Sequence, residues 1–136
     1  MNLTNHKIPI KEDRKTYYSC QYHVLWCSKY KRQVFSPEIM SRLNEIIVEV
    51  AKQYKFDILE LSIFESYVHL IVNVSPRLDI YKIVLKIKSK AKVLLKEFPK
   101  LNSRLPCLWS GANFIYSVGN INLDVINNFL EEQRGK

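Results

Sequence analysis

This 136-residue chain is short of the residues that build linkers, membrane spans and disulfide frameworks. Three glycines and five prolines are too few for long flexible linkers. No apolar run approaches the ~18 residues of a membrane span. The opening stretch MNLTNHKIPIKEDRK contains no apolar core of signal-peptide length. The cysteines, Cys20, Cys27 and Cys107, are odd in number and form no C-x-x-C pair. That pattern speaks against a disulfide framework or a zinc knuckle and for free thiols in a reducing cytoplasm. Acidic residues are scarce too: 13 Asp and Glu face 21 Lys and Arg, for a net charge of +8 and a pI near 9.4. Such an excess favours a polyanionic partner, nucleic acid before an acidic membrane surface.

What is present fits one globular domain with its own core. Residues 1–16 are polar and basic and read as an arm that is loose without its partner, leaving 17–136 as a single domain. A strand is expected over about Cys20 to Ser28, followed by a basic loop, Lys29 to Arg32. SPEIMSRLNEIIVEVAKQYKF predicts a helix: Ser36 is a cap candidate, Pro37 suits the first turn, and Ile39, Leu43, Ile46, Ile47 and Val50 recur at helical spacing. FDILELSIFES and YVHLIVNV predict two strands, paired as a hairpin. SPRLDIYKIVLKIKSKAKVLLKEFPK predicts a second long helix, ANFIYSVG (112–119) a last strand, and Asn122 to about Gln133 a final helix. The first six elements give the β-α-β-β-α-β order of a ferredoxin-like (RRM-like) α+β fold: an antiparallel sheet with helices on one face and the other face free.

Two features carry candidate chemistry. On the second long helix an apolar arc, Ile80, Ile83, Val84, Ile87, Ala91, Leu94, Leu95 and Phe98, faces away from Lys82, Lys86, Lys88, Lys90, Lys92 and Lys96. One-sign charge on one helix face repels itself, so a phosphate-facing role competes with a merely solvated surface. In ESYVHLIVNVSP, strand alternation places Val68, Leu70, Val72 and Val74 toward the core, and Glu65, Tyr67, His69 and Ile71 on the other face. A strand histidine off the apolar face is either a surface residue or part of a site.

Four stretches, SCQYHVLWCSKYKRQVF, ESYVHLIVNVSP, LPCLWSGANFIYSVGN and VINNFLEEQ, together resemble the IS200/IS605-family single-tyrosine (Y1, HUH) transposases, in order and over about Tyr17 to Gln133. The resemblance implies a homodimer that binds single-stranded or hairpin DNA. Its relatives cut and rejoin strands through a phosphotyrosine, aided by Mg2+ or Mn2+ held by a His-hydrophobic-His strand and a helical glutamine. The C-terminal helix carries the nucleophile position. Carried over, the second histidine is His69 and the glutamine is Gln133, but the first histidine falls on Tyr67 and the nucleophilic tyrosine on Phe129. A phenylalanine has no hydroxyl with which to form a phosphotyrosine.

The expected protein is therefore a cytoplasmic DNA-binding member of that family, cleavage-deficient as written. Its expected nucleic-acid contacts are Lys29, Tyr30, Lys31, Arg32, Lys82, Lys86, Lys90 and Trp109, and no membrane partner is expected. Two alternatives stand beside it. One is an active transposase with an altered site, in which Glu65 replaces a metal ligand and Tyr67 or, farther off, Tyr116 acts as nucleophile. The other is an RNA-binding or regulatory ferredoxin-like domain.

Overall fold

The computed structural model describes residues 10–119 and 123–133. A short hairpin, β1 (Lys11–Asp13) and β2 (Thr16–Tyr18), precedes β3 (Gln21–Ser28). Then follow α1 (Pro37–Tyr54), β4 (Asp57–Ile63), β5 (Tyr67–Asn73), α2 (Ile80–Lys90), α3 (Leu94–Glu97), α4 (Pro99–Arg104), β6 (Trp109–Val118) and α5 (Leu123–Gln133). The main sheet has the order β4-β5-β3-β6 with every pair antiparallel. This is the expected ferredoxin-like arrangement, with the first strand of the motif at the centre.

Helix α1 begins as its sequence dictates: the Ser36 hydroxyl accepts from the Ile39 amide at 3.3 Å, and Pro37 occupies the first turn. Ile39, Leu43, Ile46, Ile47 and Val50 are all buried. Against them pack Val24 and Trp26 of β3, Val68, Leu70 and Val72 of β5, and Ile83, Val84 and Ile87 of α2. Val72 pairs with Tyr22, and Leu70 with Val24, so one pleat of both central strands faces the helices.

The structure differs from expectation in three places. The expected loose arm is paired from Lys11 onward; only residues 1–9 of it lie outside the described residues. Its turn residues, Arg14 and Lys15, both have positive φ, 49° and 64°. Two-residue hairpin turns with that geometry are normally announced by Asn-Gly, which this chain lacks there. The hairpin is fixed by Asp13, which accepts from Ser75 Oγ at 2.7 Å, and by a Lys11–Asp57 pair at 3.2 Å.

The second long helix is not continuous. It opens at Asp79, whose carboxylate accepts from the Tyr81 amide at 2.9 Å, passes through a 3-10 turn at Ala91–Val93, and stops at Phe98. Pro99 pushes Phe98 out of the helical region (φ −126°, ψ 83°) and then starts α4. Finally, Lys88 is buried rather than on the lysine face. Its Nζ donates to Ser110 O and Asn113 Oδ1, both at 2.8 Å, where β6 crosses α2. Desolvation lowers its pKa from the ordinary lysine range.

Candidate nucleic-acid and metal site on the second sheet face

The face turned away from α1 and α2 carries Gln21, His23, Leu25 and Cys27 from β3, Tyr67, His69 and Ile71 from β5, and Phe114 and Tyr116 from β6. The register sets this, since His23 lies opposite Tyr116 and Ile71, and Leu25 lies opposite Phe114 and His69. The face is not uniformly open as expected. His23 (1% exposed), Gln21 and Ile71 are buried, His69 and Tyr67 are half-buried, and Phe114 is 61% exposed.

Its centre is a pair of imidazoles. His23 Nδ1 lies 3.0 Å from His69 Nε2. Tyr116 stacks on the other side of His23, with centroids 4.5 Å apart and planes at 17°. Sequence reasoning singled out His69 but passed over His23. The signal was available, because Gln21, His23, Leu25 and Cys27 alternate with the core residues Tyr22, Val24 and Trp26. Only the antiparallel register could show that the two histidines meet across strands.

Tyr67 stands at the sheet's other end, opposite Cys27. Its ring stacks on Phe64, centroids 4.4 Å apart at 17°, and Lys31 Nζ lies 5.8 Å from its centroid. Glu65 lies in the turn before β5, exposed and outside the strand's alternation.

The adjoining basic loop is latched at both ends. The buried Ser28 hydroxyl donates to Arg32 O at 2.7 Å, and Lys29 N donates to Leu108 O at 2.9 Å. Within the loop Tyr30 (67% exposed) and Lys31 both have positive φ, 58° and 53°. Left-handed backbone at two bulky residues is strained and holds the Tyr30 ring outward. Lys29 Nζ and Arg32 Cζ lie 5.0 and 5.2 Å from that ring. The Arg32 guanidinium also donates to Arg104 O.

On α2, Lys82 is exposed, Lys86 is half-buried, and Lys90 donates to Gln53 at 2.7 Å. Trp109, an expected stacking residue, is a correction. It is 7% exposed, donates its Nε1 to Lys88 O at 3.1 Å, and meets Trp26 and Phe35 edge-on. A ring enclosed by two other aromatics cannot receive a base.

On α5, Phe129 and Gln133 stand four residues apart and so share a helix face. Phe129 is 41% exposed and meets Tyr17 of the β1–β2 hairpin edge-to-face at 5.5 Å. Ile126 and Leu130 beside it are exposed. The Gln133 Nε2 is buried without a hydrogen-bond partner among the described residues, while the partner that His69 Nε2 has found is His23.

An antiparallel four-stranded sheet with α1 and α2 on one face, a basic loop at its end and a C-terminal helix that meets the β1–β2 hairpin through Phe129 and Tyr17 makes a ferredoxin-like α+β domain. The comparisons with known proteins specify it. The family described as "Transposase IS200 like" matches residues 16–133, and the chain belongs to that family. It is 26% identical to the ISDra2 transposase TnpA of Deinococcus radiodurans over 132 residues, 95% of this chain and 94% of that one. It is 23% identical to the transposase for insertion sequence element IS200 of Salmonella typhimurium, over 87% of this chain and 79% of that one. The crystal structure of a Deinococcus radiodurans transposase superposes with a TM-score of 0.74 at 26% identity, over 90% of this chain and 97% of that one. A REP-associated tyrosine transposase bound to a REP hairpin shares the fold, with a TM-score of 0.59 at 15% identity, over 87% of this chain and 67% of that one.

The family works with a metal ion. The residues here do not fit the His-hydrophobic-His ligand set that the sequence resemblance implied. Position 67 is a tyrosine stacked on Phe64, and a neutral phenol is a weak ligand for a hard cation. Among the described residues no three His, Cys, Asp or Glu side chains converge on a metal position.

Proposed function

We propose that this protein binds single-stranded or hairpin DNA as a homodimer and does not cleave it by a phosphotyrosine route. The observation that carries the reading is Phe129. The side chain at the nucleophile position is a benzyl ring against Tyr17, with no oxygen to attack a phosphate. Tyr67 is stacked on Phe64 and Tyr116 on His23, and the reading assigns neither phenol the nucleophile's role.

What remains is a surface suited to unpaired bases. Phe114, Tyr116 and the outward-held Tyr30 offer π-faces, and Lys29, Lys31, Arg32, Lys82 and Lys86 supply positive charge for phosphates. The neighbour of known structure that holds a REP hairpin supports the choice of DNA. The dimer draws support from the exposed apolar side chains of α5, Ile126, Phe129 and Leu130, which a second copy would cover. With Tyr67 in place of a ligand, Mg2+ or Mn2+ is not required for this binding. The setting is the cytoplasm; no described helix is long and apolar enough to cross a membrane.

The test is an electrophoretic shift with a DNA hairpin carrying a single-stranded flank, in chelator, against the RNA of the same sequence. Retardation of the DNA by a dimer is expected. Preference for the RNA would support the regulatory RNA-binding alternative, since the 2′-hydroxyl distinguishes the two.

A further inference from the structure

The β1–β2 hairpin and α5 do not close completely against each other. Between them lies a cleft of about 470 Å3, within the roughly 300–1,000 Å3 range of sites that hold small ligands. Tyr17 and Phe129 meet edge-to-face at 5.5 Å on its wall, yet each ring stays open, 38% and 41% exposed. Ile126, one turn before Phe129, extends the apolar surface.

Polar groups line the same space. Asn128 and Glu132 stand four residues apart on α5, on the side that Phe129 shares. Ser19, between β2 and β3, lines it too, and its hydroxyl is buried with no hydrogen-bond partner among the described residues. Such a hydroxyl is costly to leave unpaired, so a ligand that satisfies it gains by doing so.

The lining selects the occupant. Among the described residues no lysine, arginine or histidine borders the cleft, so a phosphate finds no opposite charge there. Open aromatic surface beside a carboxylate, an amide and a hydroxyl suits a neutral heteroaromatic ring with hydrogen-bonding edges. The cleft also borders the end of the sheet that carries Tyr116. Ser19 is two residues before Gln21, and Gln21 and His23 pair with Val118 and Tyr116.

We propose that the cleft between the β1–β2 hairpin and α5 takes one unpaired nucleobase of the bound strand, packed against Tyr17 and Phe129 and read at its edge by Asn128, Glu132 and Ser19. A carboxylate accepts hydrogen bonds and donates none, so Glu132 selects a base with an exocyclic amine, adenine or cytosine, over thymine. The proposal rests on the DNA-binding reading and adds to it a place where the protein distinguishes bases.

The test is a fluorescence-anisotropy titration of the full-length protein with a DNA hairpin whose single-stranded flanks carry an abasic site at each position in turn. At one position the abasic site should weaken binding at least about fivefold, the loss expected for one stacked base. In Tyr17→Ala and Asn128→Ala that penalty should shrink to below about twofold. At the same position adenine or cytosine should bind about threefold more tightly than thymine, and Glu132→Gln should abolish the difference. If Tyr17→Ala does not fold by circular dichroism, Asn128→Ala, at an exposed position, decides alone. A hairpin that is bound with no sensitive position, a penalty that persists in Asn128→Ala, or a preference for thymine overturns the proposal and leaves the DNA-binding reading standing. A cleft filled by a second copy would also give the flat scan, and a dimer that Tyr17→Ala turns to monomer in sedimentation would identify that occupant. An intact hairpin that is not bound at all overturns both readings.

Discussion

The two faces of one four-stranded sheet obey different rules. Toward α1 and α2, β5 presents Val68, Leu70 and Val72, each 1% exposed or less, and every choice agrees with burial. Toward the other side the same strand presents Tyr67 and His69, and its neighbours present a buried histidine, a buried glutamine and an exposed phenylalanine. A stability-only sequence would not bury His23 and expose Phe114. The first face holds the fold together; the second departs from local consistency where proteins usually keep a site.

Adjacent residues sharpen that contrast. Leu70→Ala should cost about 2–5 kcal/mol in urea unfolding, by lost burial plus a cavity. His69→Ala should cost about 1–2 kcal/mol, less than Leu70→Ala, because it removes little apolar burial but takes a hydrogen-bond partner from the buried His23 Nδ1. Equal losses would erase the distinction between the faces. On the second face, Phe114→Ala should leave the unfolding midpoint nearly unchanged yet weaken single-stranded DNA binding by about 1–3 kcal/mol in a fluorescence-anisotropy titration.

The lysines of α2 divide in the same way. Lys82→Ala should reduce the slope of log K against log salt by about 1, as expected of a phosphate contact. Lys88→Met should leave that slope alone and act on stability. Folded Lys88 has a lowered pKa, so above it the unfolded chain binds more protons, and stability rises with pH toward the ordinary lysine range. Comparing unfolding at neutral and alkaline pH should show that rise flattened in Lys88→Met. The smallest effect is expected at Lys55, the left-handed residue that ends α1 (φ 58°). Lys55→Gly should raise stability by up to about 1 kcal/mol, because glycine takes that backbone region without strain.

Much of the first face was legible from residue order. Helical spacing marked Ile39 to Val50, alternation marked Val68 to Val74, and Ser36-Pro37 marked where α1 starts. What stayed hidden was set by tertiary partners or by strain. The β1–β2 turn uses Arg14 and Lys15 at positive φ, against their intrinsic preference. Lys88 reads as a surface lysine until the carbonyl of Ser110 and the amide of Asn113 are brought over it. Trp109 reads as a stacking residue until Trp26 and Phe35 enclose it. Strand alternation placed Tyr67 and His69 on one sheet face, as found, while Phe129 and Gln133 were expected from the family resemblance. The partnership of His69 with His23, 46 residues earlier, emerges only from strand register.

The most direct test of the account is to incubate the protein with a single-stranded DNA hairpin in Mn2+ and run the mixture on a denaturing gel. A complex that dissociates completely, with intact DNA, is the predicted result. A protein–DNA adduct that survives denaturation, and disappears on changing Tyr67 or Tyr116 to phenylalanine, would contradict it.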